Sequence, residues 1–521
     1  MLFSFFSLTN PYLWASQNKI RMKIYGVDQF TYNDVFQILN STLEAGLNEK
    51  SKSQILKSKS NVEAIVNSEM TVYGINTGFG PLCDTTISKE ETRKLQENLL
   101  ISHAVGVGNP ISKELSKLML ITKAHALAKG FSGISMETFE RILLFVEKDI
   151  IPVVPEQGSV GASGDLAPLS HLFLPLIGEG KIWKNNVPVP TKEVLKEHNL
   201  QPIALQAKEG LGLINGTQFI LAHALFGLDK MKYLLDLADV VGTMSLEAYS
   251  GLKSPFRREL HEVRPYQGTK LVAQRIQKLL EGSEIIENND FPRVQDPYSL
   301  RCMPQVHGAS QNAWLHLKEM AEIELNSVTD NPIVLDEETA ISGGNFHGQP
   351  LAMVLDYATL AASELGNISD RRSYLLLEGK FGLPRLLTEK SGLNSGFMIP
   401  QYTAAALCTE NKTLCFPASA DSIPTSLGQE DHVSMGSISG RKFNQVLNNL
   451  EKILSIELMY ACQGMEFRRP LKSGPVIEEV FGLVRTKVPK LEDDRLIGED
   501  INAIIELIQG EKLKEIISKI E

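Results

Sequence analysis

The loop Gly158–Asp165, read Gly-Ser-Val-Gly-Ala-Ser-Gly-Asp, carries the residues whose types and spacing most directly suggest chemistry. It is not a phosphate cradle: the glycines at 158, 161 and 164 do not match G-x-G-x-x-G, and no Gly-Lys-Ser/Thr follows. A nucleophile elbow of the G-x-S-x-G form fails as well, because Asp165 stands where the second glycine belongs. What the loop allows is cyclisation of the main chain. A glycine amide nitrogen, unhindered by a side chain, can approach the carbonyl carbon two residues earlier when the chain is tightly bent. Gly164 and Ala162 supply that pair. If the ring closes with loss of water and Ser163 then sheds its hydroxyl as a second water, the product is an imidazolinone with an exocyclic methylene. No protein side chain is a comparable electrophile, and it suits attack by an electron-rich amino acid.

Gly161–Leu169 (GASGDLAPL) resembles the signature of the histidine and phenylalanine ammonia-lyases. So do Tyr73–Gly80 (YGINTGFG), Leu213–Thr217 (LINGT), Val294–Pro304 (VQDPYSLRCMP), Ser342–His347 (SGGNFH), Asn394–Met398 (NSGFM) and Gln429–Met435 (QEDHVSM). The blocks stand in family order and cover the chain from about residue 22 to its end. The resemblance implies a cofactor, 4-methylidene-imidazol-5-one (MIO), formed autocatalytically from Ala162, Ser163 and Gly164, and no metal.

Such an elimination must remove a weakly acidic β-proton while a poor leaving group, the amine, departs. The resemblance implies that the methylidene captures the substrate amine or, in an alternative, its aromatic ring. It makes Tyr73 the base. A phenol, with an ordinary pKa of about 10, must be held partly ionised to act near neutrality. Arg301 has the planar fork suited to a substrate carboxylate, and Gln295 and Tyr298, in the same Pro-broken loop, hold substrate and ring. Asn215 hydrogen-bonds the ring or the carboxylate, Phe346 supplies an aromatic wall, and Asn345 is structural. His103 and Glu430 match positions where the histidine-specific members face the imidazole, and a carboxylate there accepts an imidazole N–H that a phenyl ring lacks. The implied reaction is L-histidine to trans-urocanate and ammonia, the first step of histidine degradation. The alternative is a tyrosine or phenylalanine ammonia-lyase or 2,3-aminomutase of the same family. Met303, His307 and the segment Phe291–Arg293 depart from the family pattern.

The elements that must position these residues are mainly helical. Apolar residues recur at helical spacing over Leu115–Ala128, with Gly130 placed as a stop, from Pro350 towards Leu377, with Gly366 its only breaker, and over Phe443–Met459. Strand signals are short, at Ile151–Val154 and Lys181–Val189. Asp165 is placed to cap the helix that follows it, and His171, His307, His347 and His432 read as loop residues or residues behind the site. The expected fold is mainly α, a loop-rich N-terminal region with a long helical bundle. By resemblance this is the ammonia-lyase and fumarase-like architecture. Residues 22–200 carry the tyrosine and the glycine-rich loop, and 201–521 the bundle, as one catalytic unit. Residues 1–21 read as a disordered upstream extension, because no Lys or Arg precedes their apolar run as in a signal peptide.

Composition narrows the partners. In 521 residues, 43% hydrophobic and 22% charged, the net charge of −10 offers no basic footprint for nucleic acid or an anionic membrane. No stretch reaches the ~18 apolar residues a membrane helix needs. Five cysteines without a CxxC pair suit a reducing, cytoplasmic setting. By resemblance the active sites are shared between subunits of a homotetramer, with which long apolar helical faces agree.

Overall fold

In a computed structural model of the chain, residues 22–68, 70–78, 80, 87 and 89–520 are described; the expected extension 1–21 and Cys83 lie outside them. Four long helices, Gln218–Ala248, Met303–Leu325, Gln349–Leu377 and Gly436–Glu466, pack along one another as a bundle. The first has 31 residues, a rod of about 46 Å at ~1.5 Å per residue. Its buried positions run all round it, from Phe219 and Ile220 to Glu247 and Ala248, as a helix at the centre of a bundle requires. Small residues let the rods approach. A Cβ on Gly227 would meet the Phe443 ring at 2.3 Å, and one on Gly464 would meet Ala248 at 2.8 Å. Gly366 does not break its helix; a Cβ there would meet Ile453 at 3.0 Å, so the glycine serves packing between two rods.

The architecture is mainly helical with few strands, as the sequence predicts, and boundaries shift by a turn or two. The helix expected at Leu115–Ala128 is Lys113–Leu127, capped by the Ser112 hydroxyl, which accepts from the Leu115 N–H. The helix expected from Phe443 starts at Gly436. Among the described residues the strands pair two by two. Lys181–Lys184 and Val187–Pro190 form a hairpin through Asn185 and Asn186, with φ of 50° and 60°, the two-residue turn whose twist suits a hairpin. Ile151–Val154 is not a strand of its own: the Trp183 N–H donates to the Ile151 carbonyl (2.8 Å) and the Val153 N–H to the Lys181 carbonyl (2.9 Å), but the pairing stops at one isolated bridge between Pro152 and Ile182. The strand falls at Pro155–Gln157, antiparallel to Val107–Pro110. No helix among the described residues is long and apolar enough to cross a membrane.

The bundle also buries charge. Arg372 donates from Nε and Nη2 to the two oxygens of Glu457 (2.5 and 2.9 Å), and Ser245 donates to the same carboxylate (2.7 Å). Arg372 Nη1 donates to His307 Nε2 (3.1 Å), so the proton of this ring lies on Nδ1, which donates to Asp239 (2.8 Å). Burial holds the His307 pKa down and keeps the ring neutral. His307 is thus not a loop residue; it sits inside the Met303–Leu325 helix, fully buried. His171 likewise lies on a helix, Leu166–Phe173, where its Nε2 accepts from the Gly106 N–H (3.0 Å).

Removing one partner of a buried, hydrogen-bonded ion pair leaves the other charge uncompensated. Arg372→Ala is expected to lower the free energy of unfolding by about 3–5 kcal/mol, and Arg372→Met with Glu457→Met by much less. Denaturant melts of both variants check this; equal losses would contradict it.

Candidate active site

The strand pair Val107–Pro110 and Pro155–Gln157 leads the chain into the loop Gly158–Asp165. There φ is positive at Gly158 (132°), Gly161 (79°), Ser163 (50°) and Gly164 (78°). The glycines adopt this region without strain, but Ser163 does not, and a strained residue persists only where its surroundings hold it. The Ser163 carbonyl accepts from Asn215 Nδ2 (2.9 Å) and the Gly216 N–H (3.4 Å), and the Asp165 N–H donates to the Gly216 carbonyl (2.7 Å). From the other side the Met435 N–H donates to Val160 (2.9 Å) and the Ser437 hydroxyl to Ser159 (2.6 Å). The space is tight: a Cβ on Gly164 would lie 2.1 Å from the Gly216 oxygen, and one on Gly161 2.1 Å from Ser434 Oγ.

Asp165 does not cap the helix it precedes. Its φ and ψ (−102°, 56°) are not those of an extended cap, and it makes no side-chain bond to that helix. Its carboxylate instead accepts from the N–H groups of Phe219 and Ile220 (3.0 Å each), in the first turn of Gln218–Ala248, and from Ser159 (3.0 Å). The positive end of a long helix is the better place for a buried carboxylate. Burial pushes its pKa up to about 7, against these three donors.

A cavity of about 520 Å³ opens beside the loop, bordered by Tyr73, His103, Ser163, Asn215 and Glu430 together with Leu95, Leu99, Leu166, Leu211 and Ile214. The Ser163 hydroxyl donates to Glu430 Oε1 (3.0 Å), while Glu430 Oε2 accepts from Thr425 (3.0 Å) and Ser426 (2.6 Å). His103 ends the helix Lys89–His103, and its Nδ1 lies 2.9 Å from the Leu99 carbonyl. A carbonyl only accepts, so Nδ1 carries a proton. Burial lowers the His103 pKa, opposed by that carbonyl and by Glu430, leaving the ring neutral with Nε2 an acceptor. The Tyr73 oxygen accepts from the Gly80 N–H (3.2 Å). Asn215 is oriented by its amide donation to Ser163, which leaves its Oδ1 buried without a partner.

Five of the residues singled out from sequence therefore share one cavity. Gln295, Tyr298, Arg301 and Phe346 do not border it. Tyr298–Arg301 is a single helical turn; Tyr298 is 71% exposed, and the Arg301 guanidinium stacks 4.5 Å from its ring. That turn is braced by the segment that departs from the family pattern: Arg293 pairs with Asp296 (2.6 Å) and lies 4.2 Å from the Phe381 ring. Phe346 is half-buried in the loop before Gln349–Leu377, and Asn345 donates to the Val328 carbonyl (3.3 Å). No group of three His, Cys, Asp or Glu suited to a metal ion occurs among the described residues.

Sequence reading missed Lys123, Thr425 and Ser426. Lys123 is fully buried on Lys113–Leu127, and its ammonium donates to the Asn215 carbonyl (2.6 Å). Burial brings its pKa down to about 8, with Asp330 opposing. The available signal was a lysine inside Leu118–Ala128, a run otherwise rich in buried apolar residues.

The sequence model of the aromatic amino acid lyases matches residues 30–486, and the chain belongs to that family. It is 44% identical over 494 residues to a histidine ammonia-lyase of Caldanaerobacter subterraneus, covering 94% of this chain and 97% of that one. A histidine ammonia-lyase of Bacillus subtilis is 44% identical over 485 residues, covering 93% and 96%. Among solved structures, the histidine ammonia-lyase of Trypanosoma cruzi superposes with a TM-score of 0.88 at 40% identity, covering 96% of this chain and 95% of that one. The tyrosine aminomutase of Streptomyces globisporus superposes with a TM-score of 0.91 at 32% identity, covering 95% and 98%.

The contact between Gly164 and Gly216 is directly testable. Gly164→Ala adds a Cβ at positive φ and against a backbone oxygen, so it is expected to cost at least about 2 kcal/mol of stability. Gly343→Ala, where a Cβ meets nothing within 4 Å, serves as the control. Denaturant midpoints measure both, and equal stability of the two would contradict the packing described.

Proposed function

We propose that this chain is a histidine ammonia-lyase, converting L-histidine to trans-urocanate and ammonia with an electrophile built from its own residues Ala162, Ser163 and Gly164. The observation that carries the reading is one cavity bringing the left-handed Ser163–Gly164 turn together with Tyr73, His103 and Glu430. The residues fit the ring. Gly164 has no side chain to keep its nitrogen from the Ala162 carbonyl, the turn is held in a tight bend, and Asn215 Oδ1 is a buried acceptor with nothing yet to accept.

In the proposed closure the Gly164 nitrogen bonds to the Ala162 carbonyl carbon. The carbonyl oxygen leaves as water with the amide hydrogens of Gly164 and Ser163, and the Ser163 Cα hydrogen and hydroxyl leave as a second water. The resulting MIO group supplies an electron-poor alkene that draws the amine away from carbon. The rest of the work falls to side chains. Tyr73 takes the β-proton. Glu430 and the unprotonated Nε2 of His103 offer two acceptors, a pair that matches the two N–H groups of a substrate imidazolium, the charged form that the Glu430 carboxylate favours, whereas a phenyl ring has nothing to donate. The apolar walls exclude water and so strengthen these contacts.

Arg301, gripping the carboxylate, with Gln295, Tyr298 and Phe346, comes in this reading from neighbouring copies of the chain in a homotetramer. Supporting this are the exposed apolar residues along the bundle: Met353, Tyr357 and Leu360 on one rod and Ile399 and Tyr402 on Met398–Leu414, each between 48% and 60% exposed.

Intact mass of the purified protein is expected to fall short of the sequence mass by two waters, with Ser163→Ala retaining both. The protein should form urocanate from L-histidine and no corresponding acrylate from tyrosine or phenylalanine. Glu430→Gln should lower kcat/KM about 10- to 100-fold, the worth of a charged hydrogen bond of ~1.5–3 kcal/mol, and light scattering should report four copies. A full-mass chain that still forms urocanate would overturn the mechanism. Faster turnover of tyrosine would overturn the substrate.

A further inference from the structure

We propose that Lys123 is a positioning residue for ring formation: its ammonium holds the Asn215–Gly216 peptide so that both Asn215 Nδ2 and the Gly216 N–H are aimed at the Ser163 carbonyl. The inference rests on the reading of Ala162–Gly164 as the ring-forming tripeptide and concerns a residue outside the cavity wall. Lys123 Nζ donates to the Asn215 carbonyl at 2.6 Å from beneath, while the same residue's amide donates to Ser163 at 2.9 Å and the next N–H faces the same oxygen at 3.4 Å. The carbonyl of Asn215 and the N–H of Gly216 belong to one peptide unit. A cation on the carbonyl polarises that unit and strengthens its N–H as a donor. Electron density is thereby drawn from the Ser163 carbonyl, which makes the adjacent Cα hydrogen easier to lose when the Ser163 hydroxyl departs as water.

The fold alone gives little reason for this lysine. It is 1% exposed, and among the described residues its ammonium has no carboxylate within ion-pair distance. The nearby Asp330 is already engaged by Lys208 (3.0 Å), which also donates to the Ser132 carbonyl (3.0 Å). A buried charge that meets only a neutral carbonyl is costly, and an apolar side chain of the same length would suit the core better. Burial accordingly draws the pKa of Lys123 down to about 8, with Asp330 and Asp165 opposing and Lys208 reinforcing the effect. A charge kept at such cost beside Asn215 points to a task in the loop.

The test compares Lys123→Met, Lys123→Gln and Lys123→Arg with the unaltered full-length protein, by intact mass and thermal midpoint. Lys123→Met is expected to melt no lower than the unaltered protein, while the fraction of chain lighter by two waters falls at least tenfold. Lys123→Arg, which restores a charged donor, should recover most of that fraction, and Lys123→Gln, a neutral donor, should fall between. Complete loss of both waters by folded Lys123→Met, or an equal deficit in Lys123→Met and Lys123→Arg, would overturn the proposal. Failure of both Lys123→Met and Lys123→Gln to fold would assign the lysine to the scaffold and overturn it too. If the unaltered protein itself keeps both waters, the ring-forming reading fails, an outcome distinct from any result with the variants.

Discussion

The turn at Ser163 and Gly164 exists because another piece of backbone, Gly216, lies directly against it. With 2.1 Å between a hypothetical Cβ on Gly164 and the Gly216 oxygen, the turn tolerates no side chain at Gly164. The three bonds that join Ser163 and Asp165 to Asn215 and Gly216 hold a serine at φ 50°, a conformation it would leave if released. Everything else at the site is arranged around that clamp. Asp165 passes from the turn to the N-terminus of Gln218–Ala248, and Lys123 braces Asn215 from behind. The strained tripeptide is thus tied to the longest rods of the molecule.

Those rods supply rigidity rather than chemistry. Gln218–Ala248 begins one residue after the Gly216–Thr217 turn, and Gly436–Glu466 begins one residue after Met435, whose N–H holds Val160. Two bundle helices therefore start at the loop, from opposite sides. Farther along, the chain Asp239, His307, Arg372 and Glu457 links the same helices to Met303–Leu325 and Gln349–Leu377 through hydrogen bonds with fixed donors and acceptors. An apolar interior tolerates sliding of one rod past another; a network with one permitted tautomer does not. The register that places Glu430 opposite Ser163 is preserved in this way.

Local pattern made much of this legible in the sequence. The long helices announce themselves by apolar spacing, and the loop by three glycines that fit neither a phosphate cradle nor an elbow. Resemblance then singled out Tyr73, His103, Asn215 and Glu430, which the fold gathers from four separate segments around Ser163. What sequence concealed was long-range or counter to habit. Asp165 reads as the cap of its own helix, yet its partners lie more than fifty residues on, at Phe219 and Ile220. Lys123 draws no attention in the sequence because lysines are seldom fully buried, yet it is 1% exposed. His307 looks like a loop histidine after a Pro-broken stretch, but the helix has already begun at Met303. Ile151–Val154 has strand composition, yet its bonds to Lys181 and Trp183 close only one bridge, at Pro152 and Ile182.

A crystal structure of the active protein, resolved well enough to trace single bonds at Ala162–Gly164, tests the central claim most directly. The account predicts density joining the Gly164 nitrogen to the Ala162 carbonyl carbon, a planar Ser163 Cα carrying a methylidene, and Asn215 beside it. Ordinary, unjoined main chain with an intact Ser163 hydroxyl, in crystals of protein that releases ammonia from histidine, would contradict it.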